Sequence, residues 1–217
     1  MKYVLTIVMV MLVGGIVYAL KDYVVPTTWR YKITVEIETP EGLKSGSAVR
    51  EVRARKNIAR FLNPDVNDVT YEVIGEAVVV DLGLGKALFA LVGSNDEVQR
   101  AFFGGASQID GIAKIKGLEV GKKAELVDIN TFVMFEDISD PETIKSLETS
   151  DFVTVFNNRI KFNGVLVEIT NDRVTFGTVR ETLKWFDQKS IGLTFFDPQI
   201  KDPARYLTKS SFIQGKQ

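Results

Sequence analysis

The side chains that could do chemistry in this sequence are mainly carboxylates, because its 217 residues include no histidine and no cysteine. The absence of histidine excludes an imidazole base, a Ser-His-Asp triad and histidine-bound zinc. The absence of cysteine excludes a thiolate nucleophile, a disulfide and an iron–sulfur cluster. The chemistry that remains possible belongs to carboxylate pairs, oxygen-ligand loops and glycine-rich phosphate loops.

Residues 83–86 (GLGK) partly match a phosphate-binding loop. A Walker loop needs a hydroxyl residue after the lysine, where Ala87 stands, and an upstream glycine, where Val80 stands. The dinucleotide-binding pattern fails as well, since Leu88 occupies the position of its third glycine. We interpret the segment as a hairpin turn, and the sequence predicts no cofactor.

Carboxylates provide two further candidates. Residues 65–68 (DVND) begin like a calcium loop, but Val69 takes the next ligand position, and we predict no metal site. A glycosidase needs two carboxylates that flank a cleft. Four carboxylates lie on predicted strands: Glu36, Glu38, Glu76 and Asp81. Their spacing singles out no pair, so a hydrolase of an envelope polymer stays an alternative to the favoured non-enzymatic interpretation.

Charge is distributed unevenly along the chain, although 27 basic and 28 acidic residues give a net charge of −1. Residues 125–151 hold one basic and eight acidic side chains, a net charge of −7, whereas residues 30–60 hold eight basic and four acidic, a net charge of +4. These segments could face each other, stay solvated, or, for the acidic one, meet a basic partner. Our candidate partner surface consists of Asp137, Asp140 and Glu142.

The most apolar segment begins at Tyr3 and ends at Leu20, with Lys2 before it and Lys21 after it. As a helix its 18 residues would extend about 27 Å, close to the thickness of a bilayer core. Residues 1–22 fit two interpretations, a signal anchor that stays in the membrane or a signal peptide cleaved after Ala19. Both export the remaining chain, which predicts a bacterial inner-membrane protein with an exported domain, or a periplasmic one after cleavage.

The exported part is predicted to be one α+β domain over residues 29–217, after a linker at residues 23–28. Trp29 and Tyr31 follow this linker and are candidates for contact with the membrane interface. Apolar alternation and turn residues predict an antiparallel, strand-rich domain with about three short helices. We predict strands or strand-rich segments at residues 31–38, 45–55, 69–82, 86–92, 109–135, 152–156, 161–170 and 191–196. Capping boxes that begin at Ser94 and Thr178 predict helices at residues 95–103 and 179–187, and Asp140 as a cap predicts a third helix at residues 140–148.

Four blocks of sequence occur together in this order. They include residues 29–36 (WRYKITVE) with 39–42 (TPEG), 75–91, 135–141 (FEDISDP), and 167–172 (VEITND) with Trp185. With these blocks the chain resembles a family of uncharacterised bacterial exported or membrane-anchored proteins. The resemblance covers residues 29–186 and implies a bacterial envelope location, but it implies no activity or site residue.

Taken together, these patterns favour a membrane-tethered envelope protein whose exported domain binds another envelope protein. Residues 3–20 are predicted to bind the membrane, and the near-neutral net charge argues against binding to nucleic acid. Two alternatives remain: a carboxylate-dependent hydrolase, and a periplasmic domain that binds a small molecule or lipid.

Overall fold

The computed structural model describes residues 2–83, 85–105, 108–127, 132–157, 159–188 and 202–215. Over these ranges the chain is mixed α+β, with two antiparallel sheets and a few short helices, which confirms the α+β, antiparallel part of the predicted fold class. The strand predicted at residues 191–196 lies outside the described residues.

Helices and strands alternate irregularly along the chain. The α-helices are α1 (Lys2–Val24), α2 (Glu97–Phe103), α3 (Gln108–Lys116), α4 (Asp151–Val155), α5 (Thr178–Thr182) and α6 (Lys209–Phe212). Short 3-10 turns cover Ile58–Phe61, Pro141–Thr143 and Pro203–Tyr206. The strands are β1 (Thr27–Thr39), β2 (Gly42–Lys56), β3 (Val69–Glu76), β4 (Val78–Gly83), β5 (Lys86–Ala90), β6 (Lys123–Glu125), β7 (Phe132–Phe135), β8 (Ile144–Leu147), β9 (Lys161–Ile169) and β10 (Ile213–Gln214).

Helix α1 precedes the sheets, and two residues, Val25 and Pro26, separate it from β1. The connection is therefore shorter than the linker predicted at residues 23–28. Among the described residues, no helix has both the length and the apolar character needed to cross a membrane. The predicted span of residues 3–20 stays a prediction.

The larger sheet has the strand order β10-β3-β2-β1-β9-β6, and the long β1–β2 hairpin forms its centre. Along β1, buried and partly exposed residues alternate, as the period of two in the sequence predicted. Four of the buried side chains on the inner face are Tyr31, Ile33, Val35 and Ile37. The sheet is therefore apolar on one face, and that face packs against the rest of the protein.

Opposite charges pair across the outer face of the larger sheet. The Glu51 carboxylate lies 2.7 Å from Arg30 Nε and 2.8 Å from Arg53 Nε, and Glu168 lies 3.2 Å from Lys32 Nζ. Partial burial alone would raise the pKa of Glu51, but the hydrogen bonds and charges of the two arginines lower it below its usual value. Part of the basic 30–60 segment is thus neutralised within the sheet.

The smaller sheet, ordered β4-β5-β7-β8, is covered on both faces. Alternate residues such as Leu88 and Phe132 join the core shared with the larger sheet, while Phe89 and Phe135 join a second core with α5 and the C-terminal segment. Because neither face meets water, β5 and β7 are almost continuously apolar instead of alternating.

The two sheets approach closely where β2 crosses β4. A Cβ placed on Gly46 of β2 would lie 2.0 Å from the Val79 carbonyl oxygen and 3.2 Å from Val78 Cγ1. Glycine is therefore required there because backbone, which cannot rotate away, occupies the space of a side chain. Further along, Ala77 separates β3 from β4, so the run predicted as one strand over residues 69–82 supplies both sheets.

Two predicted elements have the opposite secondary structure. Residues 152–156 were predicted as a strand, but α4 forms there, because Phe152 and Phe156 lie four residues apart and pack together with ring centroids 5.7 Å apart. Similarly, α3 occupies the start of the segment predicted to be strand-rich from residue 109, with Ile115 buried.

Of the three helices predicted from caps, the one at residues 95–103 forms as α2 but begins two residues later, and the other two predictions are too long. Asp140 does cap a turn, since its Oδ1 accepts a hydrogen bond of 3.0 Å from the Glu142 amide, yet only a 3-10 turn follows. Strand β8 follows this turn directly. Its residues Ile144 and Leu147 are buried in different cores on opposite faces of the smaller sheet. Two apolar residues three positions apart lie on the same face of a helix, but on opposite faces of a strand. Because both faces of the smaller sheet are buried, the spacing of Ile144 and Leu147 is compatible with either structure. The helix predicted at residues 179–187 is likewise shorter and ends as α5 at Thr182.

We expect Gly46→Ala to lower the free energy of unfolding by about 1–3 kcal/mol, because the added methyl group forces β2 and β4 apart. The matched control is Gly164→Ala in β9, where a Cβ meets nothing within 4 Å. Thermal unfolding of the full-length variants in detergent would measure the melting temperature of each variant. Equal melting temperatures for the two variants would contradict the close approach of the sheets.

Candidate functional site

A buried arginine, Arg50, lies where the two sheets meet. Strand alternation puts Arg50 on the inner face of β2 with Ala48, Val52 and Ala54, all of them buried. Arg53 is on the opposite, exposed face of β2. The side chain of Arg50 has no exposed surface, and its charge must therefore be compensated inside the protein.

All three nitrogens of the Arg50 guanidinium donate hydrogen bonds. Nη1 contacts both carboxylate oxygens of Glu97 at 2.9 and 3.0 Å. Nη2 donates to the carbonyl oxygens of Ala90 and Leu91 at 3.2 and 3.0 Å, and Nε donates to the Glu76 carbonyl at 3.2 Å. One side chain therefore joins the end of β3, the end of β5 and helix α2.

Tyr31 completes this cluster from β1, where it is the cross-strand partner of Arg50. Its hydroxyl donates a 2.5 Å hydrogen bond to Glu97 Oε2. Burial, together with the charge of Glu97, raises the pKa of the Tyr31 phenol well above its usual value, so the phenol stays protonated and donates. Burial acts to lower the pKa of Arg50, but Glu97 and Tyr31 outweigh it and raise that pKa, so the guanidinium stays charged.

Glu97 reaches the cluster because the predicted capping box does not form. Ser94 was predicted as the cap of α2, with Glu97 folding back onto it, but the residue before the helix is Asp96. Glu97 is instead the first residue of α2 and points inward against Gly93, where a Cβ would lie 2.1 Å from its Oε1. The glycine thus leaves the space that the carboxylate occupies.

A pocket of about 380 Å³ opens beside this cluster, between residues 91–94, α2 and the C-terminal segment. Its walls carry Ser94, Arg100, Ser210, Ser211 and Gln214, and Glu97 belongs to its lining. In the described part of this lining Glu97 is the sole carboxylate, and both of its oxygens are already hydrogen-bonded. The pocket therefore presents hydroxyl, amide and guanidinium groups to a ligand, but not a carboxylate pair.

Glu76 is a fully buried carboxylate, and it caps a helix. Its two oxygens accept hydrogen bonds from the backbone amides of Gly177, Thr178 and Val179 at 3.0 to 3.1 Å. The capping box predicted at Thr178 is thus replaced by a carboxylate from β3, about a hundred residues away in sequence. This contact holds the start of α5 against the smaller sheet.

The buried carboxylates of the described residues are therefore all engaged. Glu51 and Glu97 are paired with arginines, and Glu76 caps α5. A glycosidase would need one carboxylate protonated and a second poised across a cleft. The described residues also include no group of three acidic side chains suited to a metal ion.

The three acidic residues predicted as a partner surface lie in one turn between β7 and β8. Asp137 Oδ1 accepts hydrogen bonds from the amide and hydroxyl of Ser139 at 2.9 and 2.7 Å, and Asp140 caps the 3-10 turn. Asp137 and Glu142 are exposed, whereas Asp140 is partly buried. The structure brings the three residues together, and their role as a contact surface stays a prediction.

Trp29 and Tyr31, expected at the membrane interface, lie instead in the core between the sheets. Their side chains are 8% and 1% exposed, because both occupy the inner face of β1. They therefore present no open aromatic ring to a membrane. The sequence analysis did not predict that Arg50 and Glu97 form a buried pair. The burial of Arg50 could have been predicted, because Arg50 lies two residues from both Ala48 and Val52 and therefore shares their face of β2.

We expect Arg50→Met to lower the free energy of unfolding by about 3–5 kcal/mol, since it leaves Glu97 buried with an uncompensated charge. The double variant Arg50→Met/Glu97→Gln should recover part of that loss, because the buried charge is gone and the new side-chain amide oxygen still accepts from Tyr31. Asp96→Asn, which affects the partly exposed pair with Arg100, is the control and should change stability by less than about 1 kcal/mol. Unfolding in denaturant measures all three, and additive losses in the double variant would contradict the coupling.

In comparisons with family models, curated proteins and solved structures, nothing matches the chain.

Proposed function

We propose that this chain is a membrane-tethered protein of the bacterial envelope, in which an N-terminal apolar segment holds a non-catalytic domain that binds another envelope protein. The observation that carries the proposal is that, among the side chains the structure describes, the apolar ones of α1 belong to neither hydrophobic core. Tethering raises the effective concentration of the domain at the membrane, so a modest affinity for its partner suffices.

The exposure of α1 supports the tether. Most of its described apolar side chains are more than half exposed and occur all around the helix axis, which is unfavourable in water. Insertion into a lipid phase would remove this exposed apolar surface from water. The side chains concerned are Tyr3, Ile7, Met9, Val10, Met11, Leu12, Val13 and Tyr18.

The engagement of the buried carboxylates supports a binding role over hydrolysis. A carboxylate-dependent hydrolase of an envelope polymer would need a free carboxylate pair, whereas Glu51, Glu76 and Glu97 stabilise the fold. For the partner surface we propose the turn that carries Asp137, Asp140 and Glu142, whose carboxylates would meet a basic surface.

A second candidate function is the binding of a small polar molecule by the exported domain. The pocket of about 380 Å³ beside Arg50 and Glu97 favours it, because this volume lies within the range of small-molecule sites. Its serines, its glutamine and Arg100 suit a polar or anionic ligand better than a fatty acyl chain.

The tether predicts that Met11→Arg/Leu12→Arg moves the full-length protein out of the membrane fraction. An arginine at the centre of a membrane segment costs about 2.5–3.5 kcal/mol, so two should abolish stable insertion. Sodium carbonate extraction of cell membranes, followed by immunoblotting, measures the distribution.

Leu62→Arg is the control, because Leu62 is a 92% exposed apolar residue outside α1 and its replacement should leave the protein in the membrane. Carbonate could instead extract the unsubstituted protein, with an intact mass that corresponds to a chain starting at Leu20. In that case the tether is wrong and the cleaved form is correct.

The partner surface predicts that Asp137→Asn/Glu142→Gln weakens capture of the partner by at least fivefold in an in-cell crosslinking pull-down. The asparagine keeps an oxygen for the Ser139 hydrogen bonds, so the double variant removes charge and preserves the turn. Asp65→Asn/Glu119→Gln removes the same charge from exposed residues elsewhere and is the control. Unchanged partner recovery in the first variant would rule out this surface.

A further inference from the structure

One end of the larger sheet must lie close to the proposed tether. Helix α1 ends at Val24 and β1 begins at Thr27, so only Val25 and Pro26 intervene. Three Cα–Cα steps span at most about 11 Å. If α1 is in the membrane, as proposed above, the end of the sheet that contains Thr27 is at the bilayer surface.

Three strands and one helix meet at this end. Thr27 of β1 pairs with Ala54 of β2, and Lys56 of β2 pairs with Val69 of β3. Helix α3 packs beside them and leaves a pocket of about 180 Å³. The lining includes Thr27, Arg55, Lys56, Val69, Ile112 and Lys116.

The pocket is cationic. Arg55, Lys56 and Lys116 are all exposed, and they come from two elements that the fold brings together. Lys56 Nζ lies 5.8 Å from the centroid of the Tyr23 ring, so the rim of the pocket adjoins the last turn of α1. The nearby carboxylate of Asp68 is paired with Arg60 at 2.9 Å. Counted over the described side chains, the rim of the pocket therefore carries a positive charge, on the side of the domain that would face the membrane.

From this placement we infer that the pocket binds the phosphate group of an anionic lipid headgroup. Arginine and lysine side chains bind phosphate, and the hydroxyl of Thr27 supplies a further donor. Val69 and Ile112 provide an apolar wall for the glycerol that follows the phosphate. A volume of about 180 Å³ admits this polar part of the lipid and leaves the acyl chains in the bilayer.

The test uses the full-length protein in dodecyl maltoside with added dioleoylphosphatidylglycerol. At a lipid concentration ten times the Kd, we expect the melting temperature to rise by about 3–6 °C. Dioleoylphosphatidylcholine, whose headgroup has no net charge, should give less than a third of this shift. Because the contact is electrostatic and exposed, 0.5 M NaCl should reduce the shift by at least half.

The site variant is Arg55→Gln/Lys116→Gln, which should lose the shift produced by phosphatidylglycerol. The single variant Lys116→Gln should lose part of it and serves if the double variant is unstable. The matched control is Lys86→Gln/Lys161→Gln, which removes two exposed charges at the far end of the sheets, near the β1–β2 turn. This control should keep the full shift.

Inorganic phosphate separates a lipid site from a general phosphate site. A shift with 10 mM phosphate as large as that with the lipid would overturn the lipid assignment. An equal lipid shift in the site variant and the control, or no shift in the unsubstituted protein, would overturn the site altogether.

This failure is distinguishable from a failure of the tether. The site variant should stay in the carbonate-resistant membrane fraction, since α1 is unchanged. Loss of the lipid shift with retention in the membrane supports the pocket. Extraction of the unsubstituted protein would instead refute the tether on which the position of the pocket depends.

Discussion

The fold is organised around the burial of one positive charge, the guanidinium of Arg50. A buried guanidinium is tolerated only when its charge is paired and its donors are satisfied. Glu97 supplies the charge, and the carbonyls of Glu76, Ala90 and Leu91 satisfy the remaining nitrogens. These groups come from β3, β5 with the residue after it, and α2, so the larger sheet, the smaller sheet and the helix must all be in place together.

Glu76 extends the same constraint to the C-terminal part of the chain. Its carbonyl binds Arg50, while its carboxylate caps α5. The backbone and the side chain of one residue therefore connect the first core to the second. Immediately after this residue the chain passes from the larger sheet to the smaller one, at Ala77, and the close contact at Gly46 holds the two sheets face to face.

Much of the larger sheet could be predicted from the sequence, because one of its faces is wet and its strands alternate. The smaller sheet was harder, because both of its faces are covered. In β8 the spacing of Ile144 and Leu147 imitates a helix, and in α4 the sequence DFVTV has strand-like composition although Phe152 and Phe156 pack on one helix face. Local spacing does not report which faces the rest of the chain will cover.

The buried cluster could be predicted only in part. The parity of Arg50 along β2 marks it as inward-facing, but its partner lies 47 residues away and the helix that Glu76 caps lies about a hundred residues from it. From the sequence, Glu97 fits a capping box of the helix at residues 95–103, and Glu76 is one of four carboxylates on predicted strands. Whether a carboxylate caps its own helix or pairs with a distant charge depends on which groups become buried. A single sequence does not show which groups are buried.

The position of β1 also has a consequence for how the chain is made. Although β1 comes first among the described strands, it is central in its sheet, and one of its two neighbours is β9. Residues 31–38 therefore pair with residues 161–169, and the sheet cannot close until most of the chain has been released by the ribosome. Such long-range pairing makes folding slow. Until β9 has been synthesised, one edge of β1 has no strand to pair with.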